Sequence, residues 1–273
     1  MKRIGMISRC DRFEAIALVK KIHQHLTGRI ELLIDPCTAE EINTQGTPVE
    51  EMREKDAIAL ISVGGDGTIL RAIQKMKDPL PILGVNIGTT GFLVDVSVDE
   101  ALTTIDKILS GFDVVERERL SVAINHKELP PATNEVVIIT ANPAKILSYT
   151  IFINDKKFDE LRADGLVLAT PTGSTAYAMS AGGPIIDPRV SAIDIVPIAP
   201  FKLSSRPWVV PDTSVVEIKL TNPGKEAFVV VDGQHTERII ENDTVTITRS
   251  RTPARFIRLE ENGFYEKVKN KLA

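Results

Sequence analysis

The sequence predicts two domains of different class: a parallel α/β domain, then an all-β sandwich, with the tail returning to the first. Three observations carry this expectation. Up to about residue 115, apolar runs of strand length alternate with segments whose apolar residues recur at helical spacing, the pattern of a parallel sheet covered on both faces. Beyond it come short strand-like runs separated by turn signals such as Asn154-Asp155, Asn222-Pro223-Gly224 and Asp232-Gly233. Within the first part, an apolar strand leads through a glycine-rich turn, Gly64 to Thr68, into a helix.

Residues 4–7 read as the first strand, and Phe13, Ile16, Ala17, Val19, Ile22 and Leu26 as one helix face ending at Gly28. Ile30 to Ile34 is a second strand, and Thr38 to Asp56 a polar stretch holding a short helix. Ala57 to Val63 is apolar and partly β-branched, as in a strand buried on both faces. Ile69, Leu70, Ile73 and Met76 continue as a helix. Pro81 to Asn86 is a further strand that opens into Gly88 to Leu93, and a helix runs from Ser97 through Leu109 to Gly111.

Strand-like runs then appear at 120–124, 134–140, 148–153, 166–170, 209–210, 215–220, 228–231 and 244–248, with one helix near Ser174 to Gly182 and another over Tyr265 to Leu272. The expected boundaries are 1–115, joined by about 254–273, for the α/β domain and 116–253 for the sandwich.

Composition narrows the function. With 43% hydrophobic and 26% charged residues in 273, the chain is an ordinary globular protein with ample core. A net charge of −4 argues against nucleic-acid binding. The basic start of the chain is broken by Ser8, Arg9 and Asp11, and no later run approaches a membrane span. Two cysteines, Cys10 and Cys37, make no disulfide framework and read as reduced thiols, which with the rest gives a cytoplasmic expectation.

A strand, a glycine turn and a helix N-terminus together make a phosphate site, because free N–H groups converge there and the helix dipole favours anions. Neither G-x-x-x-x-G-K-[ST] nor G-x-G-x-x-G fits, since Leu70 stands where a third glycine belongs. Asp66 is the odd member of the loop. A carboxylate there repels phosphate unless it binds Mg²⁺, accepts a hydroxyl proton or caps the helix. The glycines are expected to supply positive φ and close approach of a ligand.

A second cluster follows Arg162-Ala163-Asp164-Gly165. Thr170-Pro171-Thr172-Gly173-Ser174-Thr175-Ala176-Tyr177 gathers hydroxyls at a helix start, where they cap it or hold a polar ligand, and adds a ring able to stack on a base. Asn134-Glu135 opens a strand with an amide that can read an adenine edge and an acid that can bind ribose hydroxyls. No spacing of His, Cys and acids matches a zinc site, and Ser174 lacks a nucleophile elbow.

Taken in order, Gly64-Gly65-Asp66-Gly67-Thr68, Gly91-Phe92-Leu93, Asn134-Glu135, Asp164-Gly165, Thr170 to Tyr177 and Gly182-Gly183-Pro184 resemble the NAD kinases. The glycine loop alone is shared with diacylglycerol kinases and phosphofructokinases; the combination is specific. The resemblance implies a Rossmann-like α/β domain with a C-terminal β-sandwich, and transfer of the γ-phosphoryl group of ATP, or of polyphosphate, to the 2′-hydroxyl of the adenosine ribose of NAD. Mg²⁺ would be held through the ATP phosphates, with no protein metal site.

On that pattern Asp66 is catalytic, with Gly65, Gly67, Thr68 and Phe92 beside it. Asn134, Glu135, Thr172, Thr175, Ala176, Tyr177 and Ser180 bind the dinucleotide, and Arg162 with Asp164 reaches across the contact of a homodimer or homotetramer. Thr90 departs from the family pattern before the Gly-Phe pair. The competing readings are a lipid or sugar kinase using the same loop, and a non-catalytic dinucleotide sensor.

Overall fold

The computed structural model describes residues 2–88, 91–94, 96–221, 224–259 and 263–272. Thr90 and the Asn222-Pro223 turn lie outside them. The chain divides into two compact units, Met1–Glu116 with Ala254–Ala273, and Arg117–Pro253.

The first unit runs β1 (Arg3–Ser8), α1 (Phe13–Leu26), β2 (Glu31–Ile34), α2 (Pro36–Glu41), α3 (Val49–Met52), β3 (Ala57–Gly64), α4 (Asp66–Lys75), β4 (Ile82–Asn86), α5 (Ala101–Ser110) and β5 (Val114–Arg117). Its sheet has the order β2-β1-β3-β4, continued by a strand from the tail, β18 (Ala254–Ile257), and then β5. The pairings β1 with β2, β1 with β3, β3 with β4 and β4 with β18 are parallel.

Helices cover both faces. Ile4, Met6, Ala59, Ile61 and Val63 pack with α1 and α5, while Ile7, Leu60 and Ile82 pack with α3 and α4. This double burial is why β3 reads as an almost unbroken apolar run. Arg255 pairs with both Asp78 and Glu116, tying the returning strand into this unit. The tail ends in α7 (Gly263–Leu272).

Helix α5 starts at Ala101, later than its sequence pattern indicates, because Ser97 Oγ donates to Glu100 in a turn ahead of it. Cys10 and Cys37 are joined by a disulfide, which corrects the expectation of reduced thiols. They are 27 residues apart in sequence, yet β1 and β2 are parallel neighbours and deliver both to one sheet edge.

The second unit holds two six-stranded sheets. One has the order β10 (Lys156–Ala163), β9 (Leu147–Ile153), β14 (Val216–Leu220), β17 (Thr244–Arg249), β6 (Leu120–Ile124), β7 (Lys127–Ala132). The other has the order β13 (Trp208–Pro211), β12 (Ala192–Ile198), β11 (Gly165–Ala169), β8 (Glu135–Thr140), β15 (Glu226–Val231), β16 (His235–Ile240). Alternation decides which side chains face which layer. Val136, Ile138, Leu166 and Leu168 enter the core shared with the other sheet, whereas Val137, Val167, Ala169 and Val196 face outward under Ala178 of α6 (Tyr177–Ser180).

The expected class, parallel α/β plus β-sandwich, is the observed one. Hairpin turns fall on Asn154-Asp155 and Asp232-Gly233, where all four residues have positive φ. Among the described residues no helix is long and apolar enough to cross a membrane.

Candidate active site

In the first unit the site forms where β3 and β4 end, the edge at which open parallel sheets bind ligands. Strand β3 stops at Gly64, Gly65 is the extended residue before α4, and Asp66 and Gly67 open the helix. The glycines here are not in the left-handed region, contrary to the sequence expectation: none of Gly64, Gly65 and Gly67 has positive φ. Space is the reason for them instead. A Cβ on Gly64 would lie 2.3 Å from Thr68 Oγ1, so Gly64 admits the buried Thr68. Gly65 and Gly67 have nothing within 4 Å of a Cβ position, and leave room above the first turn of α4 for an incoming group.

Asp66 holds the second glycine loop. Its Oδ2 accepts the Phe92 N–H at 2.7 Å and its Oδ1 the Leu93 N–H at 3.0 Å. Gly91 fits against the carboxylate so closely that a Cβ there would lie 1.9 Å from Oδ1. The structure thus brings Asp66, Gly65, Gly67, Thr68 and Phe92 together. It also brings in residues the sequence reading did not name: Lys267 of α7 donates to the Phe92 carbonyl at 3.3 Å, and Lys271 lies over the Phe92 ring at 4.0 Å from its centroid. Among the described residues no three His, Cys, Asp or Glu side chains cluster to hold a metal.

In the second unit, Asn134, Glu135 and the Thr170–Tyr177 segment meet at one end of the β8–β11 pair. Thr170 Oγ1 donates to the Thr133 carbonyl at 2.6 Å, and the Thr170 N–H to the Asn134 carbonyl at 2.8 Å. Gly173 presses on the same turn: its Cβ would stand 2.0 Å from the Asn134 carbonyl oxygen, so only glycine fits. Ser174 Oγ is committed to the Pro171 and Ile186 backbone, which makes it a brace. Thr172, Thr175 and Ala176 form the turn above it, Ser180 is exposed, and Tyr177 is 39% exposed with its ring available.

Asp232 is the anchor that the sequence reading took only for a hairpin turn. Its carboxylate accepts the N–H groups of Thr133, Asn134 and Glu135 at 2.7, 2.8 and 3.0 Å. The fully buried Arg119 guanidinium faces it electrostatically and donates to the Pro131 carbonyl. Burial pushes both Asp232 and Glu135 up, and Glu135 reaches about 8, with the Asp232 charge adding to it and a Tyr177 N–H opposing. Three N–H donors and Arg119 keep the charge on Asp232, so the proton of the pair sits on Glu135. Asn134 Oδ1, Glu135 Oε2 and Thr133 Oγ1 are buried without a partner, polar atoms set to meet something polar.

Arg162 and Asp164 are not part of this group within one chain. They precede Gly165, the far end of β11, about 13 Å along the strand from Ala169. The Arg162 guanidinium covers the Phe201 ring there, 5.0 Å from its centroid.

The raised acids predict a pH effect of definite sign. Glu135, at about 8, and Asp194, pushed by burial to about 7, stay protonated in the fold where the unfolded chain's carboxyls are ionised. Their contribution is whole below pH ~4 and is lost as pH rises towards 7 and 8. Glu135→Gln with Asp194→Asn is expected to flatten this decline, gaining a few kcal/mol over the parent at pH 8 and little at pH 5. Urea unfolding across pH checks it, and parallel curves for the two proteins would contradict it.

Comparison with known proteins decides the family. Residues 12–112 match the family model for the ATP-NAD kinase N-terminal domain, and residues 133–259 that for the ATP-NAD kinase C-terminal domain. The chain belongs to the ATP-NAD kinase family. NAD kinases of Methanosarcina acetivorans and Methanosarcina barkeri are 52% and 54% identical to it, each across 100% of this chain and 99% of the relative. Among solved structures, yeast NADH kinase complexed with NADH superposes with a TM-score of 0.92 at 25% identity, covering 100% of this chain and 87% of that one. An NAD kinase from Archaeoglobus fulgidus in complex with ATP gives 0.82 at 30% identity, covering 99% and 98%. The resemblance read from the motifs is borne out, and with it the expectation of a kinase that turns NAD into NADP.

Proposed function

We propose that the chain transfers the γ-phosphoryl group of ATP to the 2′-hydroxyl of the adenosine ribose of NAD, with Asp66 as the catalytic carboxylate. The observation that carries the assignment to this loop is Asp66 itself, pinned by two backbone N–H groups where Gly65 and Gly67 leave open space. A pure anion-binding sensor gains nothing from a carboxylate at that place.

In the reaction the ribose O–H bond breaks, a new O–P bond forms, and ADP leaves. Such transfer needs positioning and charge compensation more than covalent chemistry. Asp66 orients the hydroxyl and takes its proton, and the Gly67 N–H at the start of α4 faces the phosphates. Mg²⁺, where bound, compensates phosphate charge; both Asp66 oxygens already accept N–H bonds, so the residues present suit a cation carried on ATP rather than a protein-built site.

Asn134, protonated Glu135, Thr172, Thr175, Ala176, Tyr177 and Ser180 bind the adenosine, the unpartnered Asn134 and Glu135 atoms supplying its hydrogen bonds. Arg162 and Asp164, at the other end of β11, serve a neighbouring protomer, so the active form is a homodimer or homotetramer.

A coupled assay tests this: NAD or NADH, ATP and Mg²⁺, with NADP-specific dehydrogenase detection for the NAD reaction. NADP formation that Asp66→Ala abolishes without unfolding the protein supports the reading. Transfer only from polyphosphate would change the donor. NADP binding with no transfer from any donor would overturn the reading in favour of a sensor.

A further inference from the structure

We propose that the C-terminal helix supplies the cations of the phosphoryl-transfer site: Lys267, with Lys271 one turn behind it, binds the phosphates of the donor nucleotide. The inference rests on the reading of the Asp66 loop as the transfer site.

Charge is the reason to look for such a group. A nucleoside triphosphate brings several negative charges to a loop whose own charged side chain is a carboxylate. The other cations on the loop's helix are placed elsewhere. Arg71 donates to the Ser8 carbonyl at 3.0 Å, and Lys75 closes the last turn of α4. A helix N-terminus contributes only about half a charge.

Lys267 is where the missing charge is found. Its Nζ donates to the Phe92 carbonyl at 3.3 Å, in the turn whose N–H groups bind Asp66, and the carboxylate acts on it electrostatically. Lys271 follows by one helical turn, so both lysines share one face of α7, and its ammonium stands over Phe92. Two ammonium groups and one carboxylate therefore converge on the Gly91–Leu93 turn.

A plain ion pair with Asp66 is the competing account of Lys267. It leaves two features without purpose: both Asp66 oxygens already accept N–H bonds, and a second lysine repels the first. Burial, the largest influence, pulls the Lys267 ammonium below the ordinary lysine value, Asp66 opposes it, and Lys271 adds to it. A half-buried cation beside a like charge is held at a cost that an arriving phosphate relieves. Lysine suits this role as a compact charge on a flexible stem that can follow the phosphate through transfer.

The test is steady-state kinetics of full-length Lys267→Met, Lys267→Arg and Lys271→Met, with ATP and NAD varied in turn. Lys267→Met is expected to raise KM for ATP at least tenfold with KM for NAD changed less than threefold, and Lys267→Arg to stay within about threefold of the parent. Lys271→Met is expected to shift KM for ATP in the same direction, by less. Should Lys267→Met fail to fold, Lys267→Gln carries the same comparison. A folded variant with unaltered KM for ATP and kcat would overturn the inference. So would equal losses for both substrates that arginine does not rescue. Asp66→Asn in the same assay separates the two levels: full turnover there would mean the site is misplaced, whereas loss there with an unaffected Lys267→Met would sink only the role of α7.

Discussion

Replacing Asp66 by Asn is expected to lower kcat by about 10²- to 10⁴-fold, the usual cost of removing a general base. The structure sets how that variant must be read, because the carboxylate has two duties. It stands between Gly65 and Gly67, where the proposed chemistry needs it, and it also accepts the Phe92 and Leu93 N–H groups. Asparagine keeps one acceptor oxygen and turns an NH₂ group towards the other N–H, so some loss of stability, on the order of 1–3 kcal/mol, accompanies the loss of chemistry. Thermal unfolding therefore has to be measured beside kcat. A variant that is less stable but turns over normally would make Asp66 a loop clamp and nothing more. Gly91→Ala provides an independent check, since its Cβ would collide with the same carboxylate oxygen and displace it without altering its charge. If Asp66 acts through its position, Gly91→Ala loses kcat as well; undiminished turnover there would count against it.

Which parts of this molecule could be read from the chain follows from where each residue's partners lie. Strand β3 was legible because both its faces are buried, so nearly every residue is apolar. Strands β5, β7, β10, β16 and β18 are absent from the sequence reading, and all but β18 are sheet edges. Edge strands face water on one side and need fewer donors, which is how β7 accommodates Pro130-Pro131 and β10 carries Lys156, Lys157, Asp159, Glu160 and Arg162. Interior β12 was missed for another reason: Asp194 and Pro197 break its apolar run.

The site divides in the same way. Gly64 to Thr68 and Thr170 to Tyr177 are local, so their turns and caps are written in neighbouring residues. Asp232 acts on residues 97 to 99 positions earlier, and Lys267 reaches Phe92 from 175 positions later. No periodicity or spacing rule connects such pairs. The nearest signal for Asp232 was its hairpin turn with Gly233, which explains the backbone and says nothing of the carboxylate.

The largest stability effect is expected at Asp232. Asp232→Ala strands three N–H groups, those of Thr133, Asn134 and Glu135, and removes the carboxylate on which the fully buried Arg119 acts electrostatically. Breaking a buried charge pair from one side costs about 3–5 kcal/mol, a large part of the roughly 5–15 kcal/mol that holds a domain together. The variant should thus be barely folded in this unit. Asp232→Asn tells more, because its one carbonyl oxygen can still accept two of the three donors. It should cost less overall and concentrate the damage at residues 133–135, where amide hydrogen exchange would quicken before the rest of β8 responds. That local loosening also disorders the Asn134 and Glu135 side chains, so KM for NAD should rise more than KM for ATP. Arg119→Met on top of Asp232→Asn completes the cycle: if the two charges support each other, the double variant is less damaged than the sum of the singles by ~1–3 kcal/mol. Strict additivity would mean that Arg119 and Asp232 act independently, and that the three N–H bonds are what hold Asp232 in the core.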